Sequence, residues 1–257
     1  MFLEKKRPVE FIAHRGESAD APENTLAAFR LAWERKVSAI ELDVHLTRDG
    51  ALIVSHDADT YRTTGVRKLI KDSTAAELRD LGAGKWKGEK WESEKLPTLI
   101  EALATIPKNG RCLIEVKVGP EAIPALVADI RASRKKPEQL PIISFNADTI
   151  AEAKRRLPKH KAYFLASFRR NLMGTWEPGV DALIKKAREI KADGLNLSFN
   201  GPIDADFVTR VKEAGLGMYV WTVDDPEVAR RMVASGVDGI TSNRAALLRD
   251  ALAPPRG

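Results

Sequence analysis

The chain has 257 residues, of which 44% are hydrophobic and 30% are charged, as is typical of a globular protein with one large α/β domain or two smaller ones. No apolar run approaches the ~18–20 residues that a membrane span requires, and the first ten residues, MFLEKKRPVE, lack the apolar core of a signal peptide. The net charge of +6 suits anionic ligands, but the positive residues are spread along the chain, so neither nucleic-acid binding nor stable membrane insertion is predicted.

Short β-like segments alternate with amphipathic helical segments along most of the chain. Eight segments have the composition of strands: EFIAH (10–14), AIELDVHL (39–46), CLIEVKV (112–118), PIISF (141–145), KAYFLA (161–166), GLNLSF (194–199), GMYVWTV (217–223) and DGITS (238–242). Helices are predicted over residues 24–35, 120–134, 147–157, 180–191, 204–214 and 225–235. This alternation predicts an α/β fold of the (β/α)8 TIM-barrel type. An open doubly wound sheet is the alternative, but no glycine-rich phosphate fingerprint follows the first strand.

One long polar segment interrupts the alternation. Residues 57–97 are punctuated by glycines, and Ser73 or Thr74 with Glu77 forms a capping-box pattern for one short helix. A structureless loop of this length is unusual in a compact domain. We therefore expect residues 1–257 to form a single barrel domain, in which residues 57–97 are a small inserted cap subdomain after the second strand.

Cysteine usage indicates the redox compartment of the protein. Cys112 is the only cysteine, so an intrachain disulfide cannot form. A reducing compartment is the default for such a chain, and a cytoplasmic location is therefore expected. The sequence makes no prediction about the oligomeric state.

Ionisable side chains alternate with apolar ones on two predicted strands. In AIELDVHL, Glu41 and Asp43 share one face, and in CLIEVKV, Glu115 and Lys117 share one face. The other face is apolar and suits contact with the outer helices, so the acids are expected inside the barrel near its active-site end. Three buried carboxylates require protonation or a cation, and oxygen ligands favour Mg²⁺ or Ca²⁺ over zinc. The alternative for either motif alone is a solvated face or a structural ion pair.

Two histidines end predicted strands. His14 ends the first strand and is followed by Arg15, whereas His56 ends the short segment ALIVSH. Histidines donate or accept protons near neutral pH, so two of them on neighbouring strand ends can take opposite catalytic roles. The forked guanidinium group of Arg15 suits phosphate oxygens. The alternative for either histidine is a partly buried side chain with a structural hydrogen bond.

Together these motifs resemble those of the glycerophosphodiester phosphodiesterase family. The resemblance covers about residues 11 to 250 and rests on IAHRGESADAPENTLAAF, AIELDVHLTRDGALIVSHD, LIEVKV, WTVDD and GVDGITSNR, in that order. It implies a (β/α)8 barrel with a small inserted domain after the second strand. It also implies acid–base catalysis by His14 and His56, binding of one divalent cation, usually Mg²⁺ or Ca²⁺, by Glu41, Asp43 and Glu115, and phosphate contacts from Arg15 and Lys117.

The resemblance also assigns two residues to the substrate pocket. Glu23 of PENT is expected close to the site, where it orients His14 or Arg15. Trp221 of the seventh strand is expected to face the pocket and pack on the alcohol portion of the substrate. The alternative for Trp221 is an aromatic side chain in the barrel core.

Other residues of the same motifs are expected to be structural. Asn24 is read as a helix cap rather than a ligand contact, although Thr25 can cap the same helix. Asn243 and Arg244 are expected to open the last helix. The loop SFRRNLMGTWEPG, after the fifth strand, is less recognisable and is expected to shape substrate choice.

The implied reaction is metal-dependent hydrolysis of a glycerophosphodiester to sn-glycerol 3-phosphate and an alcohol, with a small molecule as the only predicted partner. His56 is assigned as the base and His14 as the acid, although the reverse is chemically equivalent. The nucleophile is either water or the glycerol 2-hydroxyl. Two alternatives stay open: a phosphodiesterase resembling lysophospholipase D or sphingomyelinase D, and a non-catalytic phosphodiester-binding barrel.

Overall fold

The computed structural model describes residues 8–253 and contains a closed barrel of eight parallel strands. The strands are β1 (Glu10–Ala13), β2 (Ala39–Leu46), β3 (Leu52–Val54), β4 (Arg111–Val116), β5 (Ile142–Ser144), β6 (Ala162–Ala166), β7 (Arg169–Arg170), β8 (Trp176–Glu177), β9 (Gly194–Ser198), β10 (Gly217–Trp221) and β11 (Gly239–Ser242). Strands β3, β7 and β8 lie outside the barrel, which closes because β1 pairs with both β2 and β11. The predicted (β/α)8 TIM barrel is therefore confirmed, and the open doubly wound sheet is ruled out.

In the described part of the chain, ten α-helices connect and cover the strands. They are α1 (Leu26–Glu34), α2 (Tyr61–Thr64), α3 (Ala75–Arg79), α4 (Leu99–Ala104), α5 (Ile123–Ser133), α6 (Ala147–Arg156), α7 (Val180–Glu189), α8 (Ala205–Glu213), α9 (Pro226–Ser235) and α10 (Ala245–Leu252). The six predicted helices correspond to α1 and α5–α9, with ends within three residues of the expected positions. Within residues 8–253, no helix has the length and apolar character needed to cross a bilayer. The signal-peptide expectation concerns the first ten residues, of which 1–7 lie outside the described part.

The two faces of β2 explain how the barrel positions its acids. Ile40, Leu42 and Val44 are fully buried in the cluster between the barrel and its helices. Glu41 and Asp43 occupy the alternate positions and are also buried. A second cluster fills the barrel interior below them: Ile12, Ala39, Leu113, Ile143, Tyr163, Leu165 and Tyr219. The period-two pattern of one strand thus places the apolar side chains outside and the carboxylates inside.

Residues 57–97 connect β3 to α4 through α2, α3 and several 3₁₀ turns. Thr74 caps α3 and forms a reciprocal capping box with Glu77, so Thr74 rather than Ser73 is the cap. A small apolar cluster joins this segment to β3 and comprises Ile53, Ile70, Leu78, Ala83 and Leu96. Hydrophobic contact with β3, which pairs with the barrel strand β2, therefore anchors the segment.

Candidate active site

Three carboxylates converge at the C-terminal end of neighbouring strands. Glu41 and Asp43 lie on β2, and Glu115 lies on β4, where it is the register partner of Asp43. One carboxylate oxygen from each residue lies within 4.8 Å of those from the other two, and all three side chains are buried. The structure therefore brings together all three residues of the expected cation site.

The environment divides these acids into two kinds. Burial and the charges of Asp43 and Glu115 raise the pKa of Glu41 well above its usual value. Burial and the charge of Asp43 raise the pKa of Glu115 to about 7. Burial also disfavours ionised Asp43, but the positive charges of Arg15 and Lys117 outweigh it and lower the pKa of Asp43. Without a further positive charge, Glu41 and Glu115 therefore keep their protons at pH values at which most carboxyl groups are ionised.

The donor set fits a hard divalent cation. Glu41 Oε1 and Asp43 Oδ1 are buried oxygens that lack a hydrogen-bond partner, which is costly for acidic side chains. Carboxylate oxygens without nitrogen or sulfur donors favour Mg²⁺ or Ca²⁺. A cation between these oxygens would satisfy them and offset the repulsion that raises the pKa of Glu41.

The turn after β1 aims Arg15 at the same site. Arg15 and Gly16 both have left-handed backbone conformations, with φ of 54° and 80°. A Cβ atom at Gly16 would lie 2.5 Å from the backbone of Ala28, so only glycine fits there. The turn lets the Arg15 N–H donate to Glu41 Oε2 at 3.0 Å. The Arg15 side chain lies 3.2 Å from Asp43 Oδ2 through Nε.

Glu23 and Lys117 complete the charged surroundings of the carboxylates. Glu23 accepts a hydrogen bond from Arg15 Nη1 at 2.8 Å, which agrees with its expected orienting role towards Arg15. Lys117 Nζ lies 2.7 Å from Glu115 Oε1 and 3.4 Å from Asp43 Oδ1. Arg15 and Lys117 therefore place one positive charge beside each carboxylate oxygen of Asp43.

His14 is held by a chain of hydrogen bonds from the last barrel strands. Its Nδ1 lies 2.8 Å from Oδ1 of Asn243, whose Nδ2 donates to Asp224 at 2.7 Å. Because the carboxylate of Asp224 only accepts, the amide oxygen of Asn243 must face His14, and His14 Nδ1 therefore carries the proton. Burial and the charge of Arg15 lower the pKa of His14 to about 4.

His56 belongs to a different hydrogen-bonded chain. Its Nδ1 lies 2.7 Å from Asp57 Oδ1, and Asp57 Oδ2 accepts from Arg62 Nε at 2.6 Å. Arg62, in α2, also donates two hydrogen bonds of 2.8 Å to Glu23. Although burial opposes ionisation, the hydrogen bonds from Arg62 and His56 lower the pKa of Asp57 to about 2. The inserted segment thus connects the surroundings of both His56 and Arg15.

One cavity of about 190 Å³ collects most of the expected site residues. Its walls include His14, Arg15, Glu41, His56, Glu115, Lys117 and Trp221. Asp43 lies within the carboxylate cluster, and Glu23 lies behind Arg15. Trp221 packs edge-on against Phe145 at 5.7 Å, so its ring is an aromatic wall of the cavity.

Several contributors were missed or misassigned from the sequence. Asn24 is not the cap of α1: Thr25 accepts from the Ala28 N–H, whereas Asn24 donates to Asp43 Oδ2 at 2.9 Å. Its φ of 58° turns it away from the helix, a conformation that asparagine tolerates better than most residues. Asn243 was expected only to open a helix, but it also contacts His14.

Two further polar side chains belong to the cavity wall. Asn196 on β9 and Thr241 on β11 are buried, and Asn196 Oδ1 and Thr241 Oγ1 have no hydrogen-bond partner. The period-two pattern was the available signal: Asn196 lies between Leu195 and Leu197, and Thr241 follows Ile240.

Comparisons with known proteins identify the family. Residues 14–247 match the model of the glycerophosphoryl diester phosphodiesterase family. The glycerophosphodiester phosphodiesterase of Caldanaerobacter subterraneus subsp. tengcongensis is 36% identical over 90% of this chain and 93% of that protein.

Solved structures agree in fold over almost the whole chain. An Oleispira antarctica phosphodiesterase, in complex with the product sn-glycerol-3-phosphate, has a TM-score of 0.85 at 29% identity, covering 95% of this chain and 96% of that chain. The Thermotoga maritima glycerophosphodiester phosphodiesterase has a TM-score of 0.74 at 25% identity, covering 95% and 99%. The chain described here therefore belongs to the glycerophosphoryl diester phosphodiesterase family of hydrolytic enzymes.

Proposed function

We propose that the enzyme hydrolyses glycerophosphodiesters to sn-glycerol 3-phosphate and an alcohol by using two histidines and a divalent cation. The observation that carries this proposal is one cavity lined by His14, His56 and two acids of a three-carboxylate cluster. A barrel that only bound phosphodiesters would need neither the paired histidines nor the crowded acids. The Oleispira antarctica enzyme, which shares the fold, binds the product expected for this reaction.

Arg15 and Lys117 are proposed to bind the phosphate. Both line the cavity, and they approach the carboxylates from two sides. Their positive charges compensate Asp43 in the free enzyme and can also neutralise a phosphodiester anion. They stabilise the additional negative charge that develops on the phosphate oxygens during attack.

Glu41, Asp43 and Glu115 are proposed to hold one Mg²⁺ or Ca²⁺ ion. When bound, the ion supplies Lewis-acid stabilisation of phosphate charge. Asn24 donates to Asp43, and the Arg15 N–H donates to Glu41, so both acids are oriented before a ligand arrives. Such hydrogen bonds to ligating carboxylates fix their direction and basicity.

The hydrogen bonds favour His14 as the base and His56 as the acid. The sequence analysis assigned these two roles the other way round. His14 donates from Nδ1 to Asn243, which leaves Nε2 free to accept the proton of the nucleophile. His56 Nδ1 lies 2.7 Å from Asp57 Oδ1, and this contact orients the imidazole ring in the wall of the cavity. Protonated His56 can then deliver a proton to the leaving alcoholate. The nucleophile is water or the glycerol 2-hydroxyl, and ³¹P NMR detection of a cyclic glycerol phosphate distinguishes the two routes.

Trp221 and Phe145 form the aromatic part of the cavity wall and are proposed to contact the alcohol portion of the substrate. Asn196 and Thr241 offer polar atoms on the same wall. Residues 57–97 are proposed to act as a cap within a single domain, since Arg62 reaches from this segment to Glu23.

A coupled assay for released glycerol 3-phosphate tests the reaction directly. Glycerophosphocholine and glycerophosphoethanolamine are the substrates, with and without divalent ions. His14→Ala and His56→Ala should each lower turnover by ~10²–10⁴-fold while the circular dichroism spectrum is unchanged. EDTA should abolish turnover, and Mg²⁺ or Ca²⁺ should restore it. Wild-type turnover in both histidine variants would refute the acid–base roles, and full turnover after chelation would refute the metal role.

The same assay separates the alternatives. A preference for lysophospholipids or sphingomyelin over water-soluble diesters would favour a lipid-directed phosphodiesterase. Binding of glycerophosphocholine without release of glycerol 3-phosphate would favour a non-catalytic barrel. A cytoplasmic location remains a proposal, supported by the single cysteine, Cys112, which is buried and reduced.

A further inference from the structure

A short hairpin beside the catalytic end of the barrel exposes two large apolar side chains. Residues 169–177, here called the tip hairpin, follow β6 and comprise β7, β8 and the turn between them. Leu172 is 107% exposed and Met173 is 88% exposed, more than any other large apolar residue in the described part of the chain. The hairpin starts four residues after Leu165, which lines the catalytic cavity. The exposed tip therefore leaves the barrel at the same end as the cavity.

The turn has a defined shape that keeps both side chains outward. Asn171 Oδ1 accepts from the backbone N–H groups of Met173 and Thr175, each at 3.0 Å. The Asn171 N–H donates to the Thr175 carbonyl at 2.9 Å, and Gly174 has a φ of 76°. A turn closed by its own backbone and an Asx-type contact cannot easily fold its apolar tip back onto the barrel.

The base of the hairpin is anchored to the barrel. Trp176 packs edge-on against Phe168 at 6.4 Å, and Phe168 in turn packs on Phe207 of α8 at 6.0 Å. Arg170 lies over the Trp176 ring at 4.7 Å. The exposed tip is thus carried on a fixed support, and its exposure is a feature of the fold.

The size and charge of the tip indicate what covers it. Two side chains on a convex turn bury far less than the ~800 Å² per partner of a stable protein interface. The hairpin carries two arginines, Arg169 and Arg170, against one acid, Glu177, and the chain has a net charge of +6. Apolar side chains flanked by arginines match the boundary between acyl chains and anionic headgroups.

We propose that the tip hairpin docks the enzyme on an anionic lipid surface. Leu172 and Met173 enter the headgroup boundary, while Arg169 and Arg170 contact the lipid phosphates. This contact is peripheral and requires no membrane-spanning segment. It presents the catalytic end of the barrel to the surface at which deacylation of phospholipids releases water-soluble glycerophosphodiesters.

Vesicle co-sedimentation tests the proposal without relying on catalysis. Wild-type protein is mixed with vesicles of phosphatidylcholine alone or with phosphatidylglycerol added, at low salt. We expect binding to the anionic vesicles only. The double variant Leu172→Ser/Met173→Ser should lower the partition coefficient at least tenfold, equivalent to about 1.4 kcal/mol. The double variant Arg169→Gln/Arg170→Gln should bind less and lose the preference for phosphatidylglycerol.

Leu247→Ser is the matched control, because Leu247 is 51% exposed but lies on α10, away from the tip hairpin. It should bind vesicles as wild type does. All variants should hydrolyse soluble glycerophosphocholine equally. The loop that contains the tip hairpin was expected to shape substrate choice, but neither its residues nor Leu247 line the cavity. No vesicle binding by wild-type protein, or undiminished binding by the Leu172→Ser/Met173→Ser variant, would overturn the proposal. Tip-dependent dimerisation without vesicle binding would also overturn it, in favour of a second copy of the chain.

Discussion

Glu115→Gln should remove a pH-dependent loss of stability from the metal-free enzyme. Burial and the charge of Asp43 raise the pKa of Glu115 from 4.5 to about 7 in the folded protein. A raised folded pKa contributes stability that is fully present below the unfolded value and is lost as the pH rises through the folded value. The pKa difference of Glu115 between the unfolded and folded protein corresponds to roughly 3 kcal/mol of lost stability, because one pKa unit is about 1.4 kcal/mol. For a domain of this size, roughly 3 kcal/mol corresponds to a Tm change of about 6–12 °C.

The measurement is thermal unfolding in EDTA between pH 4.5 and 8.5, for wild type and Glu115→Gln. The pKa of His14, about 4, makes stability rise over the lower part of this range, so neither curve alone isolates Glu115. The difference between the two proteins removes the contribution of His14 and reports Glu115 together with the repulsion that its charge exerts on Glu41. This difference should move by about 6–12 °C in favour of the variant as the pH rises. Saturating Mg²⁺ or Ca²⁺ should stabilise wild type more than the variant at pH 8.5. A difference that stays constant across the range would refute the pKa assigned to Glu115.

Two further variants test other contacts. Arg62→Gln should lower kcat about 10–100-fold, because Asp57 and Glu23 both lose the guanidinium group that binds them. Arg62→Lys should restore only part of the loss, because lysine lacks the forked guanidinium group. An unchanged steady-state kcat in Arg62→Gln would contradict this role. Asp193→Asn should lower the free energy of unfolding by about 1.5–3 kcal/mol at pH 7, because Asp193 accepts hydrogen bonds from two lysines and a backbone N–H. These contacts outweigh burial and lower the pKa of Asp193, so its contribution is present above the unfolded pKa and is lost as the pH falls through the folded pKa. The control is Asp181→Asn, which removes an exposed ion pair and should change the free energy of unfolding little. Denaturant titrations measure both variants, and equal losses of stability would contradict the prediction.

The barrel and its acidic residues could be predicted from the sequence, because the alternation that indicates them lies within single strands. From Ile40 to Leu46 in β2, acidic residues or histidine alternate with aliphatic residues, and the two sets occupy opposite faces of the folded strand. The relation between Asp43 and Glu115 follows once both strands are placed side by side with their inward faces aligned. Periodicity thus carries information about side-chain direction without any knowledge of distant contacts.

The hydrogen-bonded supports could not be predicted in the same way. The contact between His14 and Asn243 joins residues 229 positions apart, and it depends on how closing the barrel brings β11 beside β1. Asn24 and Thr25 are both acceptable caps by residue type, and only the left-handed backbone of Asn24 separates them. Arg62 lies in a non-repeating segment, where neither strand nor helix periodicity indicates the direction of a side chain.

The position of Arg62 limits how the inserted segment can be redesigned. Helix α2 contributes a side chain that bridges Asp57 and Glu23, whereas α3 and the later turns lie further along the insertion. A loop exchange that starts immediately after β3 would therefore remove a support of the proposed reaction centre together with the inserted segment. Grafts intended to change head-group selectivity should keep residues 57–65 and begin beyond them, so that new specificity is sampled without dismantling the catalytic scaffold.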